Sequence, residues 1–219
     1  MRSDRLMTYL SFFGVIFFLS WLLITAKKLD TQRRQNVSLN DSIRYVNGAN
    51  RYYLDLMEFK MKYSNSLVNK DEIKAYDISR DTAKSIPINI HSLITRSRQS
   101  LFLRYTEIGC NECSSLTIKK LKQLSQDHPE LPIYVLTDFT NYDAYLQWRK
   151  LAEVNFPVFY VKKGEITFDE GCNEYSYLFL TDNREIAYDF FIPNSQMSGL
   201  LDYYLNNIYK QPAEHGFKN

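Results

Sequence analysis

Residues 100–113 read SLFLRYTEIGCNEC. The first part, Ser100-Leu101-Phe102-Leu103-Arg104-Tyr105, is apolar with one charge and has the texture of a buried strand. Cys110 follows five residues later, with Cys113 one helical turn beyond it. Residues 114–126 then place Leu116, Ile118, Leu121 and Leu124 at helical steps, so the cysteine pair opens a helix. That position is chemically useful. Free amide N–H groups and the positive end of the helix dipole stabilise a thiolate at the first cysteine. A thiolate at Cys110 attacks a disulfide, and Cys113 then attacks the mixed disulfide and releases the reduced product.

Two other readings of the pair stay open on the residues alone. A structural zinc site uses this spacing but needs two more ligands, and Cys172, His91, His128 and His215 are scattered. A pair of buried structural thiols is the other. A peroxide-reducing Pro-x-x-x-Thr-x-x-Cys pattern is excluded. Thr106 lies four residues before Cys110, and residues 102–106 hold no proline.

On either side of this stretch, strand and helix patterns alternate. Residues 86–94 contain short alternating runs, 133–137 read as a strand, 142–153 as a helix and 157–161 as a third extended piece. Tyr177-Leu178-Phe179-Leu180, the turn 181–184 and residues 185–191 read as a hairpin, and 198–209 as a closing helix. This order predicts an α/β domain, a central mixed sheet flanked by helices.

The N-terminal third has another texture. Residues 7–26, MTYLSFFGVIFFLSWLLITA, carry no charge. As a helix they span roughly 30 Å, a hydrocarbon core. A cleaved signal peptide is the alternative, but the exit Ile24-Thr25-Ala26 has a bulky residue where a small one is needed, and no lipidation cysteine follows. Arg2 and Arg5 precede the span, and Lys27, Lys28, Arg33 and Arg34 follow it, which by charge count favours a cytoplasmic C-terminal side. The very short N-terminal tail favours export instead. The expected localisation is a single-pass membrane protein with its soluble domain extracytoplasmic, periplasmic if the source is bacterial.

Residues 27–39 suit a tether. From Asn40 or Asp41 as cap, Ile43, Val46, Tyr53, Leu54, Met57 and Met61 recur at helical steps, which predicts an amphipathic helix over 41–65. It packs on its own domain or acts as a stalk able to form a homodimer, although Gly48 and Asn50 weaken a coiled coil. The expected organisation is therefore 1–26 tail and anchor, 27–85 tether and helical stalk, 86–210 α/β domain and 211–219 polar tail.

Bulk properties narrow the partners. Hydrophobic residues make up 45% of 219, enough for a packed core. Net charge is +2 with no basic cluster interleaved with aromatics, so nucleic acid is a poor partner. Three cysteines are too few for a disulfide scaffold. Cys172 reads as a small core residue rather than a third redox centre. The sequons at Asn36 and Asn40 matter only in a eukaryotic secretory pathway.

Residues 86–210 resemble the membrane-anchored thiol–disulfide oxidoreductases of the thioredoxin-like TlpA/ResA type. The likeness lies in LFLRYTEIG leading into CNEC, in IYVLTD, in NFPVFYVKKGEI as that family's inserted strand, and in YSYLFLTDNREI as its hairpin. It implies a thioredoxin-like fold and electron transfer to a protein disulfide, with Cys110 as nucleophile and Cys113 as resolving thiol, and without metal or organic cofactor. Two positions depart from the family. Gly109 replaces the tryptophan before the first cysteine, and Ser176 stands where a cis-proline faces the disulfide. Tyr175 and Ser176 are thus the substrate-docking loop, with a trans bond between them expected. Glu112 and Arg104 are candidate modulators: Glu112 disfavours the thiolate and argues for a reductant, and Arg104 pushes the other way. Solvated surface charges are the alternative reading of both. Two other functions remain: a non-catalytic thioredoxin-fold module that binds a partner at the membrane, and a cytoplasm-facing membrane redox sensor.

Overall fold

The apolar run at 100–105 forms the middle of a sheet because its side chains are wanted on both faces. β4 (Gln99–Tyr105) is buried from Ser100 onward. In a computed structural model describing residues 2–68, 73–77, 87–172 and 175–208, with side chains from residue 13 on, it lies between β5 (Ile133–Thr137) and β7 (Tyr177–Asp182). β5 runs parallel to it, and β6 (Val158–Tyr160) parallel to β5. β7 and β8 (Ile186–Phe191) are antiparallel, as the hairpin pattern requires. β1 (Ser66–Leu67) extends the β8 edge, and the hairpin of β2 (Lys74–Asp77) and β3 (Pro87–Asn89) extends the β6 edge. Among the described residues the sheet has eight strands, in the order β1-β8-β7-β4-β5-β6-β2-β3.

Alternation along β4 divides two cores. Leu101, Leu103 and Tyr105 pack with Ile118 and Leu121 of α3 (Asn111–Asp127), Tyr145 of α4 (Tyr142–Leu151) and Leu201 and Leu205 of α5 (Ser198–Asn207). Phe102 and Arg104 point to the other face. There Phe102 stacks on Phe179 at 5.2 Å, and Phe59, Phe168 and Phe190 close an aromatic cluster. The short helix α2 (Ile90–Ile94) follows β3. This is the thioredoxin-like arrangement: parallel strands on one side of β4, an antiparallel hairpin on the other, and the cysteine helix at the C-terminal end of β4.

α1 (Arg2–Tyr63) is one continuous helix. The chain divides into two compact units, 1–54 and 55–219. In the first, the described side chains are almost all exposed, Ile43, Val46 and Leu54 included. In the second, α1 contributes its last nine residues, and the buried face differs from the expected stripe. Met57 and Met61 are exposed, whereas Phe59 and Tyr63 are buried against Tyr177, Phe190 and Phe168. Aromatic rings fill the broad sheet face better than the flexible thioethers do, which explains the exchange.

Among the described residues no helix is long and apolar enough to cross a membrane. The expected span at 7–26 lies within α1, but side chains are described only from Phe13. The expected polar tail at 211–219 lies outside the described residues.

Candidate active site at the helix carrying Cys110 and Cys113

Cys110 is the N-cap of α3, with extended backbone at φ −66° and ψ 103°. Its Sγ accepts the Cys113 backbone N–H at 3.1 Å, and its carbonyl accepts the Ser114 N–H at 3.0 Å. A capping atom normally takes an orphan N–H of the first turn, and here the capping atom is sulfur. The same donor and the aligned peptide dipoles favour negative charge on that sulfur. Cys110 and Cys113 form a disulfide, with Cα atoms 5.3 Å apart. Cys110 is exposed and Cys113 is buried. The arrangement therefore presents one sulfur to a partner and keeps the other behind it.

The loop from β4 to α3 is held by hydroxyls and carboxylates. The Gly109 N–H donates to the Thr106 carbonyl at 3.0 Å. Ser176, buried just before β7, accepts the Thr106 N–H at 3.2 Å and the Ser114 hydroxyl at 3.1 Å through its Oγ. No cis peptide bond occurs among the described residues, so the Tyr175–Ser176 bond is trans, as serine at that place predicts. Tyr175 is half exposed. A Cβ on Gly109 would lie 2.7 Å from Thr106 Oγ1 and 3.3 Å from Ser176 Oγ. The hydroxyl pair thus occupies the space that a side chain at 109 needs.

A second set of contacts was not read from the sequence. Asp138, buried at the end of β5, accepts the Glu107 N–H at 2.8 Å. Tyr105 donates its hydroxyl to Asn111 Oδ1 at 2.9 Å, tying the strand to the first residue of the helix. Burial, with Asp138 and Glu107 nearby, pushes the Tyr105 hydroxyl up to about 12, so it remains a donor at neutral pH. Its ring packs on Trp148 and Phe139 at 4.5 and 5.4 Å. Of these, Asp138 had one visible signal, a carboxylate directly after the apolar strand 133–137.

The two candidate modulators separate. Glu112 is exposed in the first turn of α3. Arg104 is no solvated surface charge: it is fully buried on the sheet face opposite α3. Its Nε and Nη2 donate to the two carboxylate oxygens of Asp169 at 3.0 and 2.8 Å, and Nη1 donates to the Val161 carbonyl at 3.0 Å. Burial opposes its charge, and Asp169 more than compensates. Asp169 also accepts from the Tyr177 hydroxyl and the Gly164 N–H. A paired, fork-to-fork ion pair is how a guanidinium survives inside a sheet.

Cys172 is buried, and burial with Asp169 and Asp55 nearby pushes its thiol up to about 12. At neutral pH it is an inert thiol, as the core reading expects. Of the scattered histidines, His91 is paired with Glu185 and His128 with Glu130. His215 lies outside the described residues. Among the described residues no group of three or more metal-ligating side chains comes together.

No protein-family model matches the chain, and no curated protein matches it. Solved structures similar to it include a secreted Mycobacterium tuberculosis disulfide oxidoreductase homologous to Escherichia coli DsbE, at 12% identity over 63% of this chain and 96% of that one, with a TM-score of 0.47. StoA from Bacillus subtilis matches at 13% identity over 63% and 98%, TM-score 0.45. The mitochondrial 2-Cys peroxiredoxin of Plasmodium falciparum matches at 12% over 65% and 94%, TM-score 0.43.

Proposed function

We propose that this protein is a membrane-anchored thiol–disulfide oxidoreductase that reduces protein disulfides. The observation that carries this reading is the Cys113 N–H donated to the exposed Cys110 Sγ at the start of a 17-residue helix. In the reduced protein the Cys110 thiolate attacks one sulfur of a substrate disulfide and expels a thiolate, leaving a mixed disulfide. The Cys113 thiolate then attacks Cys110 Sγ and expels the second substrate thiolate. Two electrons pass to the substrate, which takes up two protons, and the Cys110–Cys113 disulfide remains. A dithiol donor restores the reduced pair. The exposed carboxylate of Glu112 beside the pair disfavours the thiolate and supports the reducing direction. The uncharged run at 7–26 supports anchoring, with the soluble domain outside the cytoplasm. The exposed Ile43, Val46 and Leu54 support a homodimer through the first unit of α1.

A second reading is a partner-binding module without turnover. It is favoured by Ser176, whose hydroxyl is committed to Thr106 and Ser114 where the resembled family offers a proline to substrate. Reduction of hydroxyethyl disulfide and of insulin with dithiothreitol as donor separates the two. The oxidoreductase reading expects turnover that is lost in Cys110→Ser, and slower turnover on insulin than a typical thioredoxin shows. No turnover on either substrate supports the module. Carbonate washing should leave the protein in the membrane pellet.

A further inference from the structure

A single oxygen closes the reactive segment at both of its ends. Ser176 Oγ accepts the Thr106 backbone N–H at 3.2 Å and the Ser114 hydroxyl at 3.1 Å. Thr106 leads from β4 into the cysteine loop, and Ser114 lies in the first turns of α3, directly after Cys113. Both cysteines therefore sit between the two anchors. Each anchor is bonded in turn to the peptide around Cys110. The Thr106 carbonyl accepts the Gly109 N–H at 3.0 Å, and the Ser114 N–H donates to the Cys110 carbonyl at 3.0 Å. Thr106, Ser114 and Ser176 are all buried, so these bonds are sheltered from water and costly to break. The loop side has no slack, since a Cβ on Gly109 would come within 2.7 Å of Thr106 Oγ1.

The consequence falls on Cys110. Its sulfur accepts the Cys113 N–H at 3.1 Å, and a hydrogen bond to the charged form favours the thiolate. Such a bond weakens steeply as its angle opens. Its strength thus depends on how the loop and the first turn of α3 are held against each other. We propose that Ser176 is a positioning residue for the cysteine pair: by holding Thr106 and Ser114 at once, its hydroxyl keeps the Cys113 N–H on Cys110 Sγ and so sets the thiolate fraction and the redox poise of the pair. The inference rests on the oxidoreductase reading above.

The test uses the full chain in detergent. The pH midpoint of Cys110 alkylation and the equilibrium of the pair with glutathione are measured for wild type, Ser176→Ala, Ser114→Ala and the double variant. Ser176→Ala should raise the midpoint by about one pH unit, the size expected when a hydrogen bond to the charged form is weakened. It should also shift the glutathione equilibrium several-fold toward the disulfide, because a less stable thiolate disfavours the reduced pair. Ser114→Ala should raise the midpoint less, since Thr106 stays bound. The double variant should match Ser176→Ala, because both changes break one shared clasp. A merely structural role lowers the melting temperature and moves neither the midpoint nor the equilibrium. An unchanged midpoint in Ser176→Ala overturns the clasp, and so do single shifts that add in the double variant. If Ser176→Ala does not fold, Ser114→Ala decides: a raised midpoint supports the clasp and an unchanged one overturns it. Turnover of hydroxyethyl disulfide by wild type, with dithiothreitol as donor, separates the two readings. Turnover with unmoved midpoints overturns the clasp and leaves the redox reading standing. No turnover overturns the redox reading, and this inference with it.

Discussion

Ser176 and Thr106, which lie on different strand ends, are joined by a hydrogen bond of 3.2 Å from the Thr106 backbone N–H to the Ser176 Oγ. Both residues are buried, so the bond fixes the loop that precedes Cys110 from the β7 side. A proline at 176 has no hydroxyl to do this. In this chain a side-chain contact takes over part of the work of positioning the cysteine loop.

Ser176→Ala leaves the buried Thr106 N–H and the Ser114 hydroxyl without this acceptor. An unsatisfied buried donor costs about 1–3 kcal/mol. Urea denaturation of the oxidised protein should show a loss in that range. Unchanged stability would mean that water or a neighbouring group satisfies the loop.

Asp169→Asn breaks the pair with Arg104 and leaves a buried guanidinium uncompensated. Removing one partner of a buried ion pair costs about 3–5 kcal/mol. The double variant Arg104→Met/Asp169→Asn should recover much of that loss, because the desolvated charge is gone. Thermal melts of the three proteins check this. A single variant within about 1 kcal/mol of wild type would contradict the burial of the pair.

Cys172 makes stability fall at alkaline pH. Its folded thiol is pushed up to about 12, whereas in the unfolded chain it titrates near 8.5. Between those values the unfolded state releases a proton that the folded state keeps. Its contribution is therefore complete below about pH 8.5 and is lost as pH rises toward 12, at no more than about 1.4 kcal/mol per pH unit. In the oxidised protein, denaturation from pH 8 to 10.5 should fall more steeply for wild type than for Cys172→Ala. Parallel curves would show the thiol to be solvated.

The placement of Cys110 and Cys113 at the start of α3 was legible because its signals are local: a strand, a five-residue gap, two cysteines one turn apart and a helical apolar pattern. The β7–β8 hairpin was legible for the same reason. The state of Arg104 was not, since its partner Asp169 lies 65 residues away in a 3-10 turn, Thr167–Gly171, that reads as a polar loop. Nor was the β2–β3 edge hairpin. Lys74-Ala75-Tyr76-Asp77 is too short and too polar to alternate visibly, and it fell in the stretch read as tether and stalk. Period alone also chose Met57 and Met61, while the shape of the sheet face selected Phe59 and Tyr63.

The central claim is that Cys110 carries the reactive thiolate. Its most direct test is alkylation of the reduced protein with a slow electrophile across pH 5–9, with each cysteine followed by peptide mass mapping. Cys110 should label first, with a midpoint below the free-thiol value of about 8.5, and Cys172 last. Labelling of Cys113 or Cys172 ahead of Cys110, or a Cys110 midpoint at or above 8.5, would contradict the account.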